Sequence, residues 1–508
     1  MKGIWVLPVV AAMVFSACGE SRKAEPPLRI VTDLKLNQIT ELTLHDGTRV
    51  TLQLLETSAV RHPVNNAVRS ARIKLIVNGE TVDLESGGYS LPVSAGGVRL
   101  DCPVTRDYYK DSAHDNWALE GDARVRLWPK DGGYTDTEKF GYPLTQGWLA
   151  GATQACNEPC WVDGAEYPPS KQVYYHSGFD FGGVEGVSPV LSAIDGLVIQ
   201  LGDSVLAGYE DYRVEPRYES ICVLGPWNWI FRYSHLTKID TLLKLGSTVK
   251  KGRQLAFIGK EGNSGGWAHL HFEIYSKRPD GRWGTEDAYP YLWQAYSDRF
   301  QPWLVALARP HQVAFTGEKV TLDGSKSFAP GGEIKSYEWL LSDSTSAAGE
   351  RQTIKYNEPG SYSEVLKVTD KLGAVDHDFL TVNVWKRSDK GPLPSIHLAA
   401  YPTLLVRPGQ PVTFAVRSFN ARQGYEIIDY GDGTPPDSVN SHPSFNWQDP
   451  RFQKEGLTGD KVMLDPHGYA FTTHAFRNVG RYLVRAERIG AGARAMAHVE
   501  IRVGESPR

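Results

Sequence analysis

The stretch WAHLHFEIY (267–275) places two histidines one residue apart, with large apolar residues between and after them. Successive side chains of an extended strand point to opposite faces. His269, His271 and Glu273 therefore share one face of a predicted strand, and the leucine, phenylalanine and isoleucine between them face a core. Two imidazoles on one strand face can line a metal site, whereas the same pair on an ordinary edge strand would be surface histidines. Further ligands elsewhere in the chain decide between these two interpretations.

A second polar motif supplies such ligands. In YYHSGFDFGG (174–183), His176 and Asp180 lie four residues apart, and the glycines and aromatic residues around them favour a strand or a loop over a helix. With His271 these residues provide two imidazoles and a carboxylate and leave a fourth position open. That is the ligand count of a catalytic zinc site.

Four motifs occur in a fixed order along this part of the chain. They are HSGFD (176–180), VSPVLSAIDGLVI (187–199), YSHL (233–236) and VKKGRQLAFIGKEGNSGGWAHLHFE (249–273). Their order and spacing resemble those of the lysostaphin-type (LytM-like) zinc endopeptidases of bacterial cell walls. The resemblance implies a peptidase domain built on an antiparallel β-sheet, which we predict over residues 151–300.

The resemblance also implies a role for each site residue. His176, Asp180 and His271 match the family's zinc ligands, and His235 and His269 match its two catalytic histidines. One Zn²⁺ per domain would polarise the scissile carbonyl and lower the pKa of water, and a neighbouring imidazole would transfer the proton. We interpret Glu273 as a structural partner, since a catalytic site keeps one position open.

The match has two departures. Ala268 stands where the family usually has a proline before the first histidine of the pair. The connection VLAGYEDYRVEPRYES (205–220) is longer and more charged than usual. Such long loops are often functional, so this one is a candidate to line the substrate groove.

Composition predicts a mainly β protein of several domains. The chain has 508 residues, of which 50 are glycine and 31 are proline, with many short runs rich in valine, threonine and tyrosine. The formal net charge is −4. This charge gives no electrostatic footprint for nucleic acid, which we exclude as a partner.

The first residues predict export and anchoring. Lys2 precedes an apolar run from Ile4 to Phe15 that is too short to span a bilayer, and small residues then lead to Cys18. Residues 1–18 resemble a lipoprotein signal peptide and lipobox, which implies lipid attachment at Cys18. The expected location is the cell envelope, at the outer membrane facing the periplasm, because Glu20 is not the aspartate that commonly signals inner-membrane retention. A conventional signal peptide is the alternative.

Alternating apolar runs predict a β-rich N-terminal domain over residues 29–150. Asp46-Gly47 and Asn78-Gly79 each separate two such runs, which is the pattern of a β-hairpin. The pattern gives no role for this domain.

The C-terminal part predicts two β-sandwiches. Residues 308–386 resemble a PKD-type domain, and residues 395–505 resemble a second, divergent unit with DYGDGT (429–434) and an insertion around 435–465. Such units serve as spacers or bind glycan or protein, and the sequence leaves both roles open.

Four cysteines follow Cys18. Because an exported chain meets an oxidising compartment, we expect two disulfides among them, with pairing undetermined. A metal site at the Cys-x-x-x-Cys pair is the alternative. The cysteines are Cys102, Cys156, Cys160 and Cys222.

The functional hypothesis is a zinc-dependent endopeptidase that hydrolyses peptide cross-bridges of peptidoglycan during cell-wall remodelling. The alternative is a catalytically inactive relative that regulates or scaffolds cell-wall hydrolases, but such members typically lack ligands or catalytic histidines, and this chain retains all five positions. A lipid-anchored adhesin would leave these residues unexplained. The sequence does not identify the cross-bridge, the oligomeric state or any autoinhibition.

Overall fold

The computed structural model describes residues 26–504 except 111, 162–171, 279, 390, 422, 443–467 and 491. Residues 1–18, with the predicted lipobox and Cys18, lie outside the described residues, as does most of the predicted insertion around 435–465.

The predicted mainly β fold is confirmed. The N-terminal strands are β1 (Ile30–Leu34), β2 (Ile39–Thr43), β3 (Arg49–Arg61), β4 (Val68–Val77), β5 (Glu80–Glu85), β6 (Val93–Ala95), β7 (Val98–Thr105) and β8 (Ala123–Pro129). The middle strands are β9 (Thr153–Gln154), β10 (Pro159–Trp161), β11 (Val173–Tyr175), β12 (Phe179–Gly182), β13 (Pro189–Leu191), β14 (Gly196–Leu201), β15 (Ser204–Val205), β16 (Ile221–Leu224), β17 (Ile230–Ser234), β18 (Leu236–Thr237), β19 (Thr248–Val249), β20 (Gln254–Ile258), β21 (His269–Lys277) and β22 (Trp283–Glu286).

The helix α1 (Tyr289–Phe300) follows the middle strands. The C-terminal strands are β23 (Gln312–Phe315), β24 (Lys319–Asp323), β25 (Ile334–Leu340), β26 (Ser346–Ala348), β27 (Arg351–Lys355), β28 (Gly360–Asp370), β29 (Val375–Trp385), β30 (Ser395–Tyr401), β31 (Pro411–Phe419), β32 (Tyr425–Asp429), β33 (Asp437–Val439), β34 (Ala470–Ala475), β35 (Gly480–Ile489) and β36 (Arg494–Val503). No helix of the described residues has the length and apolar character needed to cross a membrane.

The N-terminal strands form two antiparallel sheets, in the orders β1-β8-β7-β6 and β2-β3-β4-β5. Both predicted hairpins are present: β2 pairs with β3 around Asp46-Gly47, and β4 pairs with β5 around Asn78-Gly79. Asn78 and Gly79 have φ values of 49° and 87°. A two-residue turn with both φ values positive matches the twist of the flanking strands, which explains this dipeptide.

The middle strands form the sheet that carries the candidate site. Its order is β15-β14-β16-β17-β21-β12-β9, and β22 also pairs with β21. On β21 the predicted core residues Leu270 and Phe272 are fully buried, as the alternation requires. On the polar face His269 is only 3% exposed, whereas His271 between the two buried polar residues is partly exposed. The polar face is therefore open to solvent at His271.

The core around this sheet extends beyond the predicted domain boundary at residue 150. Phe140, Tyr142 and Trp148 lie in the same buried cluster as Phe179 of β12 and Leu270 of β21. The segment before β9 thus packs against the sheet formed by the middle strands. The boundary at residue 150 stays a prediction.

The two C-terminal units are joined by one sheet to which both contribute strands. β28, within residues 308–386, pairs in parallel with β36, within residues 395–505, through Gly360 with Arg494 and Ser361 with Ala495. The resulting order is β23-β29-β28-β36-β35-β32-β33. Strands β30-β31-β34 form a separate sheet in the last unit. This unit also contacts the segment before β9, where the Glu500 amide donates to the Ala150 carbonyl over 3.0 Å.

The disulfide expectation is wrong for this structure: Cys102, Cys156, Cys160 and Cys222 are all free thiols. Three of them lie in three different apolar clusters. Within the Cys-x-x-x-Cys pair, the Cys156 thiol donates to the Gly178 carbonyl over 3.3 Å, whereas the Cys160 sulfur accepts from Gln154 over 3.0 Å. The two sulfurs therefore face different partners.

Alkylation of denatured, non-reduced protein from the native compartment is expected to modify all four of these cysteines. Burial raises the pKa of Cys102, Cys160 and Cys222 to about 12, so the folded thiols are protonated and should react only after denaturation. Peptide mass spectrometry with and without prior reduction measures this. Two cysteines that react only after reduction would contradict the free-thiol arrangement.

Candidate active site

Strand pairing assembles the predicted site residues from distant parts of the chain. β12 runs antiparallel to β21, with Asp180 opposite His271 and Gly182 opposite His269. On the other side of β21, β17 pairs Ser234 with His271, so His235 follows at the strand end. The central position of β21 therefore brings both neighbouring strands to one polar patch.

Three side chains converge on a common point. The His271 Nδ1 atom lies 2.8 Å from Asp180 Oδ1 and 3.0 Å from His176 Nε2. His176 Nε2 lies 3.2 Å from Asp180 Oδ1. His176 and Asp180 are 5% and 3% exposed. The three predicted ligands thus form one compact donor group, in which His176 and Asp180 are buried and His271 is partly exposed.

This geometry fits a metal ion of zinc's size and preference. Ligand bonds of about 2.0–2.2 Å in a tetrahedral site put neighbouring donor atoms about 3.3–3.6 Å apart. The observed separations of 2.8 to 3.2 Å are slightly shorter, so a small outward movement of the side chains would accommodate the ion. Two imidazole nitrogens and one carboxylate oxygen are also zinc's usual donor types.

The second nitrogen of each predicted ligand histidine lies beside an acceptor. His176 Nδ1 donates to the Ala155 carbonyl over 3.2 Å, and His271 Nε2 lies 3.4 Å from Glu273 Oε2. With a metal ion bound, these contacts would hold the ring protons away from the donor group and leave lone pairs at His176 Nε2 and His271 Nδ1. Glu273 therefore occupies the supporting position that we predicted.

Close packing explains why residue 178, between His176 and Asp180, is a glycine. A Cβ atom at this position would lie 2.8 Å from His271 Cε1 and 2.8 Å from the Phe272 carbonyl oxygen. Real Cβ atoms essentially never approach that closely. Any larger residue would displace the His271 ring from the donor group.

Glu273→Gln is expected to weaken metal affinity about tenfold to a hundredfold, because the neutral amide supports the His271 ring less well than the carboxylate. Competition with a chelating dye measures the affinity. Glu261→Gln is the matched control, since only the Glu261 backbone carbonyl contacts a site histidine. Equal affinities for the two variants would contradict a supporting role for Glu273.

The other two predicted histidines lie beside the donor group. His235 Nδ1 donates to the Glu261 carbonyl over 2.7 Å, and His269 Nδ1 donates to the Trp267 carbonyl over 3.0 Å. Their ring centroids are 4.6 Å apart, and His269 Nε2 lies 3.5 Å from Asp180 Oδ2. Each neutral ring therefore keeps a lone pair on Nε2.

Burial keeps both of these rings neutral. It lowers the pKa of His269 to about 4, and it lowers the pKa of His235 well below its ordinary value. A neutral imidazole is the form that accepts a proton. Both rings are therefore uncharged at neutral pH, with an Nε2 lone pair free to accept a hydrogen bond or a proton, and each is a weaker base than a free imidazole.

The long connection 205–220 ends beside His235. His235 has φ of 61°, an uncommon backbone conformation for a residue with a side chain. Glu219 Oε1 lies 4.0 Å from His235 Nδ1, and both Glu219 carboxylate oxygens are buried without a hydrogen-bond partner in the described part of the chain. Tyr218 is exposed and donates to the Glu261 side chain. This segment forms one flank of the site.

Sequence reasoning missed the contacts that the last β-sandwich makes with the site. Tyr469 and Arg417 both bond to the backbone of the segment before His269, across 201 and 151 residues of sequence. No local periodicity or motif indicates contacts of this range.

Two family models match the chain. Residues 174–282 match "Peptidase family M23", and residues 302–384 match "PKD domain". The predicted resemblance to lysostaphin-type peptidases and to PKD-type domains is therefore confirmed at the level of these segments.

Two curated relatives and one solved structure illustrate the likeness. A collagenase, ColA, from Clostridium perfringens is 36% identical over 79 residues, which cover 16% of this chain and 7% of the relative. The peptidoglycan DD-endopeptidase ShyB from Vibrio cholerae is 37% identical over 109 residues, which cover 22% of each protein. The crystal structure of a zinc-containing peptidase from Vibrio cholerae is 19% identical, with a TM-score of 0.20, and the match covers 49% of this chain and 57% of that one.

The chain spans 7% to 22% of the lengths of the curated relatives it matches. The likeness therefore concerns single domains. This chain contains an M23-type peptidase segment over residues 174–282, followed by a PKD domain segment over residues 302–384.

Proposed function

We propose that this chain is a zinc-dependent endopeptidase that hydrolyses peptide cross-bridges of bacterial peptidoglycan. The observation that supports it most is the convergence of His176 Nε2, Asp180 Oδ1 and His271 Nδ1 beside two neutral, buried imidazoles. This group lies within the M23-type segment. A regulator without catalysis would not need either histidine beside the donor group.

In this proposal His176, Asp180 and His271 hold one zinc ion. Zinc, when bound, polarises the scissile carbonyl and lowers the pKa of water toward about 7. Glu273 and the Ala155 carbonyl keep the two ligand rings in the orientation that binding needs.

His269 serves as the proton carrier. Its Nδ1 stays bonded to the Trp267 carbonyl, so Nε2 takes the proton from the attacking water and returns it to the leaving amine. The nearby Asp180 carboxylate, 3.5 Å from Nε2, stabilises the imidazolium between these steps. His235 stays neutral, with Nδ1 bonded to the Glu261 carbonyl, and its Nε2 lone pair would orient the attacking water.

The substrate class rests on two observations. The M23 match covers the whole donor group, and the ShyB relative is described as a peptidoglycan DD-endopeptidase. The test uses dye-labelled sacculi and the soluble chain without residues 1–18. Release of dye should require zinc, stop on chelation and resume when zinc is restored. Release that chelation leaves unchanged would contradict a metal-dependent reaction.

We also propose that Cys18 carries a lipid that anchors the protein in the cell envelope, with the outer membrane as its expected place. Cys18→Ser should abolish labelling by a fatty-acid precursor, because the thiol is the attachment atom. Cys160→Ser is the control and should keep the label. Persistent labelling of Cys18→Ser would exclude this site.

A further inference from the structure

The segment just before β21 is held by the last β-sandwich. The Ala268 amide donates to the Tyr469 hydroxyl over 2.7 Å, and Arg417 Nη1 donates to the Gly266 carbonyl over 2.9 Å. The Trp267 ring lies edge-on to His397, with centroids 5.3 Å apart. Three consecutive residues of the M23-type segment are therefore fixed by residues that lie far outside it.

Tyr469 is the centre of these contacts. Its hydroxyl accepts from Ala268 and donates to His397 Nδ1 over 2.7 Å. Burial lowers the pKa of His397 to about 3, so this ring is neutral and can accept the proton. Tyr469 and His397 are 5% and 4% exposed. Water therefore does not compete readily for either bond.

The held segment makes two contacts with His269. The Trp267 carbonyl accepts from His269 Nδ1 over 3.0 Å, and the Trp267 ring stacks on the His269 ring at 3.9 Å with an angle of 18°. Both contacts come from one residue, Trp267, whose following amide is bonded to Tyr469. A shift of this peptide would therefore move the hydrogen bond and the stacking face together.

His397 also reaches the opposite side of the site. A Cβ atom on Gly182 would lie 2.8 Å from His397 Nε2, and Gly182 is the residue paired with His269 across the sheet. The His397 ring thus lies between Trp267 and β12. The last β-sandwich therefore contacts Trp267, which stacks on His269, and Gly182, which pairs with His269 in the sheet.

From this arrangement we propose that Tyr469 is a positioning residue for His269, and that the last β-sandwich completes the active site of the M23-type segment. The proposal rests on the endopeptidase function proposed above. Tyr469 acts through the Ala268 amide and Trp267. Alanine at position 268, where the family usually has proline, makes this hydrogen bond to Tyr469 possible, because proline has no N–H to donate.

Tyr469→Phe removes the hydroxyl and keeps the ring. Because small misplacements of a catalytic group reduce rate strongly, kcat should fall about tenfold to a hundredfold, with a smaller change in KM. Ala268→Pro removes the same hydrogen bond from the other partner and should have a similar effect. If both act through this bond, the double variant should lose little more than either single variant.

Tyr482→Phe is the matched control. It removes a tyrosine hydroxyl bonded to a backbone carbonyl, Asn478, in the same sandwich and away from the site. Zinc content should be alike in Tyr469→Phe and Tyr482→Phe, whereas the unfolding midpoint should be lower in Tyr469→Phe, because the buried Ala268 amide loses its partner. A kcat in Tyr469→Phe equal to that of the control would overturn the proposal. A fully additive double variant would also overturn it.

A readout without catalysis separates this proposal from the proposed function. Diethyl pyrocarbonate modifies accessible imidazoles, and peptide mass spectrometry of the zinc-loaded protein gives the rate at His269, which is 3% exposed. Tyr469→Phe should raise this rate several-fold above that of Tyr482→Phe, even if the parent cleaves no substrate. An unchanged rate would overturn the positioning role, whereas an inactive parent with a raised rate would contradict only the endopeptidase.

Discussion

Asp180→Ala should leave the protein without bound zinc. Asp180 Oδ1 lies within hydrogen-bond distance of both proposed ligand histidines, 2.8 Å from His271 and 3.2 Å from His176. Its removal leaves two nitrogens where a catalytic zinc site requires three protein ligands. Zinc content after dialysis should fall from about one per chain to near zero, and hydrolysis should fall to background.

The control for this variant is Asp195→Ala. Asp195 lies in the same segment, but its carboxylate is exposed and pairs with Lys250 at the surface. This variant should keep full zinc content. Asp180→Asn should bind zinc weakly, since the amide oxygen keeps the position without the charge. If Asp180→Ala purified with full zinc occupancy, the ligand assignment would be wrong.

His269→Ala should retain zinc and lose turnover. His269 lies beside the donor group, with its Nε2 atom 3.5 Å from Asp180 Oδ2, and it is not one of the three converging ligands. Loss of a general acid–base group typically lowers the rate about a hundredfold to ten-thousandfold. Steady-state kinetics together with metal analysis on the same sample measure both effects.

His235→Ala is expected to give a similar or smaller loss of rate, because its proposed role is to orient the attacking water rather than to carry its proton. His45→Ala serves as the control, since His45 is exposed on the N-terminal hairpin. It should match the parent in rate and zinc content. Zinc loss in His269→Ala would instead assign this histidine to the metal.

The candidate site could be predicted because its signals are local. The alternation of side chains on β21 predicted that His269 and His271 share one face. The short spacing between His176 and Asp180 predicted that these two side chains also lie together, and the structure brings them to His271. Strand periodicity and turn chemistry act over a few residues and are visible in the sequence. The hairpin at Asn78-Gly79 was predictable for the same reason.

The features that were not predicted depend on long-range packing. Disulfides were expected only because an exported chain meets an oxidising compartment. The fold instead leaves all four cysteines free and places three of them in different apolar clusters. The buried aromatic residues Phe140 and Trp148 extend the core past residue 150. Tyr469 reaches Ala268 across 201 residues, and only the assembled sandwiches bring them together.

The most direct test of the central claim is mass spectrometry of muropeptides after digestion of purified sacculi with the zinc-loaded soluble chain. The proposed endopeptidase predicts that cross-linked muropeptides decrease and that monomers with new amino and carboxyl ends accumulate, with His269→Ala giving little of either. The identity of the new ends would also name the cleaved cross-bridge. An unchanged muropeptide pattern from sacculi of several cross-bridge types, with folded and zinc-loaded protein, would contradict the enzyme and favour a regulatory role.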